Sequence, residues 1–245
     1  GKLEGLNELL ITTNGSQLVR HAKTLKEAGV KRLNVSLDSL DEAKFTAMTR
    51  TGKLSQVLQG IDAAIEEGFE RIKINAVVTR GSNDDEVLDL VDFARDKAID
   101  IAFIEEMPLG NIQSHDRALT YCSSDDVREM IEQHYPLTHN PQKTAGPSRY
   151  YSMPNHKTQI GFISPHSHNF CSDCNRVRVT VEGRLLLCLG NEHSLDLMPI
   201  LRSQPGQIEP LQEAIIAAMA LKPEKHHFDL HEKPQILRFM NATGG

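Results

Sequence analysis

The sequence predicts an α/β fold in which parallel strands alternate with helices and form part of an open (βα) barrel. Between residues 8 and 107, four short apolar segments alternate with longer segments of helical periodicity. A strand, a helix and a second strand in succession favour parallel pairing with a right-handed crossover. Four strands are too few to close a barrel, so we expect a TIM-like barrel that lacks its first strands.

The four predicted strands share a high content of β-branched and other apolar residues. They are residues 8–13 (ELLITT), 32–37 (RLNVSL), 71–78 (RIKINAVV) and 100–107 (DIAFIEEM). In parallel sheets of this kind, ligands bind beyond the carboxyl ends of the strands. Thr12, Thr13, Ser36, the far end of segment 71–78 and Met107 lie towards those ends. Without a ligand, Thr12 and Ser36 would simply end their strands and Met107 would fill the core.

The helices between these strands are predicted from apolar residues at intervals of three and four. They cover residues 18–28, 54–68 and 83–98, with a shorter helix that begins after Asp41 and continues through Phe45. The side chain of Asp41 is expected to cap that shorter helix. Gly29 and Gly68 follow two of the other helices and are expected to end them.

A second region is predicted from a change in composition. Residues 136–156 are rich in Pro, Gly, Ser and Asn, which is typical of a loop or linker. We therefore divide the chain into a partial barrel at 1–136 and a small α+β region at 137–245.

The remaining predicted elements lie on both sides of this linker. They are helices at 123–135 and 207–221 and short strands at 158–164, 176–181 and 184–189. Glu182 and Gly183 separate the last two strands, and such a pair is expected to form a hairpin turn.

Composition excludes several classes of protein. The net charge of −6 argues against a general nucleic-acid binder, which would be basic. No apolar run approaches the ~18–20 residues that a membrane span needs, and the first residues do not resemble a signal peptide. We therefore expect a cytoplasmic, reducing setting, in which the four cysteines serve metal binding or catalysis more readily than disulfides.

Three of the four cysteines form what we call the thiol site: Cys171, Cys174 and Cys188. Cys171 and Cys174 form a CxxC motif, and Cys188 follows after thirteen intervening residues, beyond the predicted hairpin. Thiolates in this pattern select zinc or an iron–sulfur cluster, and the spacing leaves both open. A structural zinc site needs a fourth ligand, for which the candidates are His166, His168, His193 and Cys122.

Basic residues follow the CxxC motif directly. Arg176 and Arg178 alternate along a predicted strand, so that both side chains face one side. Guanidinium groups bind phosphate oxygens in bidentate fashion, and the pair could bind a phosphorylated ligand. The alternative is that they serve as counter-charges for the sulfurs or form a solvated face of the strand. Lys73, on a buried-looking strand, requires a ligand or a carboxylate partner, because an unpaired buried ammonium is costly.

The segment FCSDCNRVRVTVEGRLLLCLG, together with LITTNG, LNVSLD, KINAVV, FIEEMPLGN and the terminal Gly-Gly, resembles the molybdenum cofactor biosynthesis protein A family, the GTP 3′,8-cyclases. The resemblance covers essentially the whole chain. It implies a radical S-adenosylmethionine enzyme with an incomplete barrel and two [4Fe-4S] clusters. It also implies GTP as substrate and cyclic pyranopterin monophosphate synthase as the enzyme of the next step, and it leaves a homodimer open.

The resemblance implies roles for individual residues. The C-terminal [4Fe-4S] cluster would be held by Cys171, Cys174 and Cys188, with one iron open to the guanine of GTP. GTP would be contacted by Thr12, Lys73, Arg176, Val177 and Arg178. S-adenosylmethionine would be contacted by Ser36 and Met107. The tail residues Gly244 and Gly245 would reach the active site.

Two features depart from the family pattern. The CxxxCxxC motif that binds the N-terminal, radical-generating cluster is absent from this sequence. We expect it upstream of residue 1, so that this chain alone would be inactive. Ala102 stands where many relatives have Arg, which removes a positive charge. The alternative to a cyclase is a zinc-stabilised binding module without catalytic activity, and a chain that holds neither metal is a third interpretation.

Overall fold

The computed structural model of the chain describes residues 1–112, 114–141, 146–230, 236–238 and 240–243. Two compact units make up these residues. The first joins Gly1–Glu106 to Leu119–His168, and the second joins Met107–Ala118 to the described residues from Asn169 onward. No helix in the described ranges has both the length and the apolar character to cross a membrane.

A seven-stranded sheet forms the centre of the first unit. Its strands are β1 (Leu10–Thr13), β2 (Arg32–Ser36), β3 (Arg71–Val78), β4 (Asp100–Glu105), β5 (Thr138–Asn140), β6 (Arg149–Ser152) and β7 (Gln159–Ile163). The order across the sheet is β1-β2-β3-β4-β7-β6-β5. Strands β1 to β4 and β7 are parallel, whereas β6 and β5 are antiparallel to their neighbours. The predicted α/β class, with four leading parallel strands, is confirmed.

The helices of the chain follow the strands in the predicted alternation. They are α1 (Leu18–Glu27), α2 (Glu42–Thr49), α3 (Leu54–Glu66), α4 (Val87–Asp96), α5 (Arg117–Thr120), α6 (Ser124–Glu132), α7 (Met198–Ser203) and α8 (Glu209–Met219). Asp41 caps α2 by accepting a hydrogen bond from the backbone N–H of Lys44 at 2.8 Å. Ser123 and Asp126 form a capping box at α6, which satisfies donors at the first turn.

The sheet extends further than the sequence predicts. Strand β7 pairs in parallel with β4, so that Ile160 faces Ile101 and Gly161 faces Ala102. The predicted boundary at residue 136 therefore falls inside the first unit. Ile160 is fully buried in the main core, and this burial favours sheet extension over a separate domain. The Pro- and Gly-rich stretch is a connection within the unit and not a linker between units.

Strand β3 has one buried face and one partly exposed face. Ile72, Ile74, Ala76 and Val78 are buried, and the alternate residues of the strand are partly exposed. Because successive side chains of a strand point to opposite faces, Lys73 and Asn75 lie together on the second face. That face carries the polar residues of the first unit.

Two glycines allow a close approach at the carboxyl end of β1. Gly15 adopts a φ of 76°, a left-handed conformation that other residues adopt at a cost. A Cβ added to Gly60 of α3 would lie 2.4 Å from the carbonyl oxygen of Gly15 and 3.0 Å from Cβ of Leu18. The bare surface of α3 therefore sets the position of the turn that follows Thr12 and Thr13.

The second unit contains a small antiparallel sheet. Its strands are β8 (Arg178–Val179), β9 (Arg184–Leu186) and β10 (Ser194–Asp196), in the order β10-β9-β8. Gly183 has a φ of 80° and donates to the carbonyl oxygen of Thr180 at 2.9 Å, which closes the hairpin between β8 and β9. Leu185, Leu187, Leu197 and Ala218 form its apolar core.

The Gly60 contact generates a stability prediction. In most helices, replacing glycine with alanine stabilises the fold by up to ~1 kcal/mol. Here Gly60→Ala should instead lower the free energy of unfolding by about 1–3 kcal/mol, because the new methyl group meets backbone. Urea denaturation followed by circular dichroism measures the change. The control is Ser55→Ala on the exposed side of α3, expected within about 0.5 kcal/mol of wild type. A Gly60→Ala protein as stable as wild type would contradict the contact.

Candidate functional site

Parallel register places candidate residues of the first unit in one row. Thr12 of β1 faces Asn34 of β2, and Asn34 faces Lys73 of β3. The amide nitrogen of Asn34 donates to the hydroxyl of Thr12 at 3.3 Å. The sequence singles out Thr12 and Lys73 but not Asn34, which lies between them and contacts Thr12.

Lys73 has a partner that the sequence does not reveal. Its ammonium donates to the hydroxyl of Tyr150 at 3.3 Å and lies 5.8 Å from the centroid of that ring. The guanidinium of Arg71 lies 5.3 Å from the same centroid and also pairs with the carboxylate of Asp100. Tyr150 of β6 therefore gathers two positive charges on one ring, which favours both through cation–π attraction.

A second row lies nearer the carboxyl ends of the strands. Ser36 faces Asn75, Asn75 faces Ala102, and Ala102 faces Gly161. Ser36 is exposed and Ala102 is fully buried. The side-chain oxygen of Asn75 is buried and accepts no hydrogen bond from the residues that the structure describes. This row therefore places Ser36, a candidate cofactor-binding residue, beside Asn75, whose side-chain oxygen has no hydrogen-bond donor among the described residues.

Ala102 is surrounded by small or aromatic neighbours and carries no charge. A Cβ added to Gly161 would lie 3.3 Å from Cβ of Ala102 and 3.0 Å from the ring of Tyr150. The sheet face is therefore closely packed at this point. Arg71 and Lys73 supply positive charge on the same face, one strand away.

Carboxylates at the strand ends have opposite pKa shifts. Burial opposes ionisation of Glu105, but hydrogen bonds from the hydroxyl and backbone of Ser167 and the backbone of Ser124 and His166 outweigh it and lower the pKa of Glu105. Burial raises the pKa of Asp38 to about 6, although the backbone N–H of Val77 donates to it at 2.8 Å. Asp38 therefore titrates nearer neutrality than Glu105.

The thiol site belongs to the second unit. Cys171 begins a single 3-10 turn, Cys171–Asp173, and its backbone N–H donates to the side chain of Asn169 at 2.8 Å. The backbone N–H of Cys174 donates to the carbonyl of Cys171 at 3.0 Å. Cys188 lies two residues beyond the end of β9. The turn and the hairpin thus fix the backbone around all three cysteines.

Positive charge surrounds the sulfurs. Burial opposes ionisation of Cys174, but hydrogen bonds from the backbone and guanidinium of Arg176, and the charges of Arg176 and Lys222, outweigh it and lower the pKa of Cys174. Burial raises the pKa of Cys188; the backbone of Gly190 and the charge of Lys222 act in the opposite direction, and Cys171 and Cys174 add a smaller increase. Cys171 and Cys174 therefore lie near enough to Cys188 to influence its pKa.

The arginines after the CxxC motif lie at this site. Nη2 of Arg176 is 3.7 Å from Sγ of Cys174, and its guanidinium lies 5.1 Å from the ring centroid of Phe170. Burial lowers the pKa of Arg178, the charge of Arg176 lowers it further, and Cys174 and Cys188 act in the opposite direction. Val177, between the arginines, is exposed to 40%.

Three of the candidate fourth ligands belong to the first unit and the fourth is exposed. Cys122 is 2% exposed in the apolar core of the first unit, and burial raises the pKa of its thiol to about 11. A ring nitrogen of His166 lies 3.0 Å from the carbonyl of Glu106, and Nε2 of His168 lies 2.8 Å from Asp125. His193 is exposed.

The side chains that the structure describes are not arranged as a metal site. Among those residues, no three His, Cys, Asp or Glu side chains form a set that could hold a metal ion. All four cysteines are free thiols. The chemistry of the donors nevertheless fits an iron–sulfur cluster: three thiols, one with a lowered pKa, beside three cations. The ligand set stays a prediction, and Gly244 and Gly245 lie outside the described residues.

Comparison with known proteins decides the family. The family model described as Radical SAM superfamily matches residues 2–94, and the one described as Molybdenum Cofactor Synthesis C matches residues 99–228. The GTP 3′,8-cyclase of Marinobacter nauticus is 61% identical over 241 residues, which are 98% of this chain and 73% of that protein. The chain belongs to the GTP 3′,8-cyclase family. GTP 3′,8-cyclase 2 of Pseudomonas aeruginosa is 60% identical over 245 residues, 100% of this chain and 74% of that protein.

A solved structure supports the fold of this GTP 3′,8-cyclase family member. SuiB of Streptococcus suis, in a crystal structure with S-adenosylmethionine, superposes with a TM-score of 0.52 at 13% identity. The match covers 83% of this chain and 49% of that one, so the chain spans about half the length of SuiB. At this identity the likeness shows a shared fold alone. The family resemblance and the radical S-adenosylmethionine fold predicted from the sequence are both confirmed.

Asp38 generates a pH prediction. Because its pKa is raised to about 6 by folding, the folded state binds more protons than the unfolded state between about pH 4 and pH 6. This carboxyl group therefore makes the free energy of unfolding fall as pH rises through that window. Asp38→Asn keeps an oxygen for the N–H of Val77 and should gain stability relative to wild type across the window, with a constant gain above it.

Denaturant unfolding at pH 4 to 8 measures that difference and cancels the contributions of other carboxyl groups. The matched control for the loss of one negative charge is Asp89→Asn on the exposed face of α4. A stability difference between Asp38→Asn and wild type that does not change with pH would contradict the raised pKa.

Proposed function

We propose that this chain acts in the GTP 3′,8-cyclase reaction, in which C3′ of GTP becomes bonded to C8 of the guanine in the first step of molybdenum cofactor biosynthesis. The proposal is carried by one observation: a chain of this family gathers three thiols and the cations Arg176, Arg178 and Lys222 in one unit. Soft donors and phosphate-binding groups at one place suit a nucleotide that is bound beside a cluster.

Cys171, Cys174 and Cys188 would hold a [4Fe-4S] cluster. When bound through three thiolates, such a cluster supplies an iron that is open to a donor atom of the guanine. The lowered pKa of Cys174 supports this assignment, because the thiolate is the ligand form. A zinc-stabilised binding module is less well supported, since structural zinc needs four ligands, His166, His168 and Cys122 have other contacts, and His193 is exposed.

Arg176 and Arg178 would bind the triphosphate. The guanidinium of Arg176 is oriented by the ring of Phe170 and by Cys174. Burial of Arg178 strengthens its attraction to phosphate, because charges interact more strongly away from water. Holding the triphosphate fixes the ribose, and fixing the ribose lowers the barrier through orientation. Val177 would contribute backbone contacts, since its side chain is exposed.

Four residues outside the thiol site complete the proposal. Thr12 and Lys73 are assigned to GTP, and Ser36 and Met107 to S-adenosylmethionine. The alignment of Thr12 with Lys73, and of Ser36 with Asn75, supports this division of the sheet face into two rows. Generation of the radical requires a second, N-terminal cluster, which is not assigned to any residue of this chain.

Iron uptake tests the cluster assignment. Anaerobic reconstitution with iron and sulfide should load wild type with a cluster, and Cys188→Ala should lose most of the bound iron and the visible absorption. Cys122→Ala, which removes a thiol from the apolar core, is the matched control and should keep both. Equal iron in Cys188→Ala and wild type would contradict the ligand set. One zinc per chain with no iron uptake would favour the binding module.

Nucleotide binding tests the arginines separately. Arg178→Ala should weaken GTP binding by about 10- to 100-fold, because the substitution removes charge-assisted hydrogen bonds to phosphate worth ~1.5–3 kcal/mol. Guanosine binding, which involves no phosphate, should change little. Isothermal titration of both ligands against Arg178→Ala and the control Arg184→Ala, whose guanidinium binds Ser194, makes the comparison. Equal losses for GTP and guanosine would show that Arg178 does not contact the triphosphate.

A further inference from the structure

One lysine contacts both segments that carry the thiols. Nζ of Lys222 donates to the carbonyl oxygen of Leu187 at 2.7 Å and to that of Arg176 at 3.0 Å. Leu187 immediately precedes Cys188, and Arg176 lies two residues after Cys174. The same nitrogen lies 4.0 Å from Sγ of Cys174. A single ammonium therefore joins two backbone segments and lies beside one of the sulfurs.

The fold fixes where this lysine stands. Ala218, near the end of α8, is 5% exposed and packs in the small core with Leu185 and Leu187 of the hairpin. Beyond the helix, the backbone N–H of Lys222 donates to the carbonyl of Met219 at 3.1 Å. Because α8 packs against the hairpin, Lys222 lies close to the thiols.

Neighbouring residues of the same segment contact the other parts of the site. A ring nitrogen of His226 lies 3.3 Å from the side-chain nitrogen of Asn169, whose oxygen accepts from the backbone of Cys171. A Cβ on Gly190, two residues after Cys188, would lie only 2.6 Å from Cβ of His226. Lys222 and His226 therefore contact the segments that carry all three cysteines.

The geometry leads us to propose that Lys222 is a positioning residue for the cluster. It holds the Cys174 and Cys188 segments at a set distance and places one positive charge beside the sulfur of Cys174. An ammonium has three donors and no acceptor, so two can bind the carbonyls while the charge remains close to the sulfur. The inference rests on the proposed ligand set of Cys171, Cys174 and Cys188.

Two effects of the lysine can be separated by substitution. Lys222→Met removes both the hydrogen bonds and the charge, Lys222→Gln removes the charge and keeps a donor, and Lys222→Arg keeps both. The matched control is Lys225→Met, an exposed lysine three residues away. Each protein is reconstituted anaerobically, and two quantities are measured: the rate of iron loss to a chelator and the reduction potential of the cluster.

The expected result is that Lys222→Met releases iron about 10-fold faster than wild type, the size of effect seen when residues that support metal ligands are replaced. Its cluster should have a more negative reduction potential, because the added electron loses a stabilising charge. Lys222→Gln should share the shift in potential, and Lys222→Arg should restore it. If Lys222→Met does not fold, as judged by circular dichroism, the comparison of Gln with Arg decides the question.

Three results would overturn the inference. Iron release and potential in Lys222→Met that equal those of Lys225→Met would show that the lysine has no role at the cluster. Faster iron release with an unchanged reduction potential in both Lys222→Met and Lys222→Gln would show that Lys222 supports only the backbone and that its charge does not act on the cluster. Wild type that binds no iron would overturn the proposed ligand set itself, and this inference with it.

Discussion

The proximity of three thiols, which would bind a cluster as thiolates, is the physical constraint on which the second unit depends. Thiolates close together repel one another, and the pKa of Cys188 is raised chiefly by burial, with a smaller contribution from Cys171 and Cys174. The chain meets this constraint with cations from two separate segments: Arg176 and Arg178 beside the CxxC motif, and Lys222 after α8. The hairpin and helix α8 therefore serve a common purpose, since together they bring these charges to the thiols.

The first unit solves a different problem, which is to hold polar groups on an otherwise apolar sheet. The parallel strand register places Thr12, Asn34 and Lys73 next to one another on adjacent strands. Tyr150 then keeps Lys73 and Arg71 from being isolated charges. Gly15 packs closely against Gly60, and this contact fixes the end of β1. The row of polar residues therefore lies on regular strands and not on a loop.

Most of the fold could be predicted from the sequence, because local patterns determine it. Apolar periodicity identified β1 to β4 and the helices between them, and the polar residues Asp41 and Ser123 marked helix starts that the structure confirms. The place of β7 could not be predicted. Its segment reads as a short strand, but its pairing with β4 depends on burial of Ile160 against residues about sixty positions earlier in the chain.

For the site, the sequence by itself determined the chemistry: which thiols stand close along the chain, which arginines follow them, and to which family the whole pattern belongs. Tertiary structure alone decided the neighbours that act across long separations in sequence. Lys222 reaches Leu187 and Cys174, and Tyr150 reaches Lys73, from segments with no local motif. The physical reason is that motifs record short-range spacing, whereas contacts between distant segments exist only once helices and strands have packed.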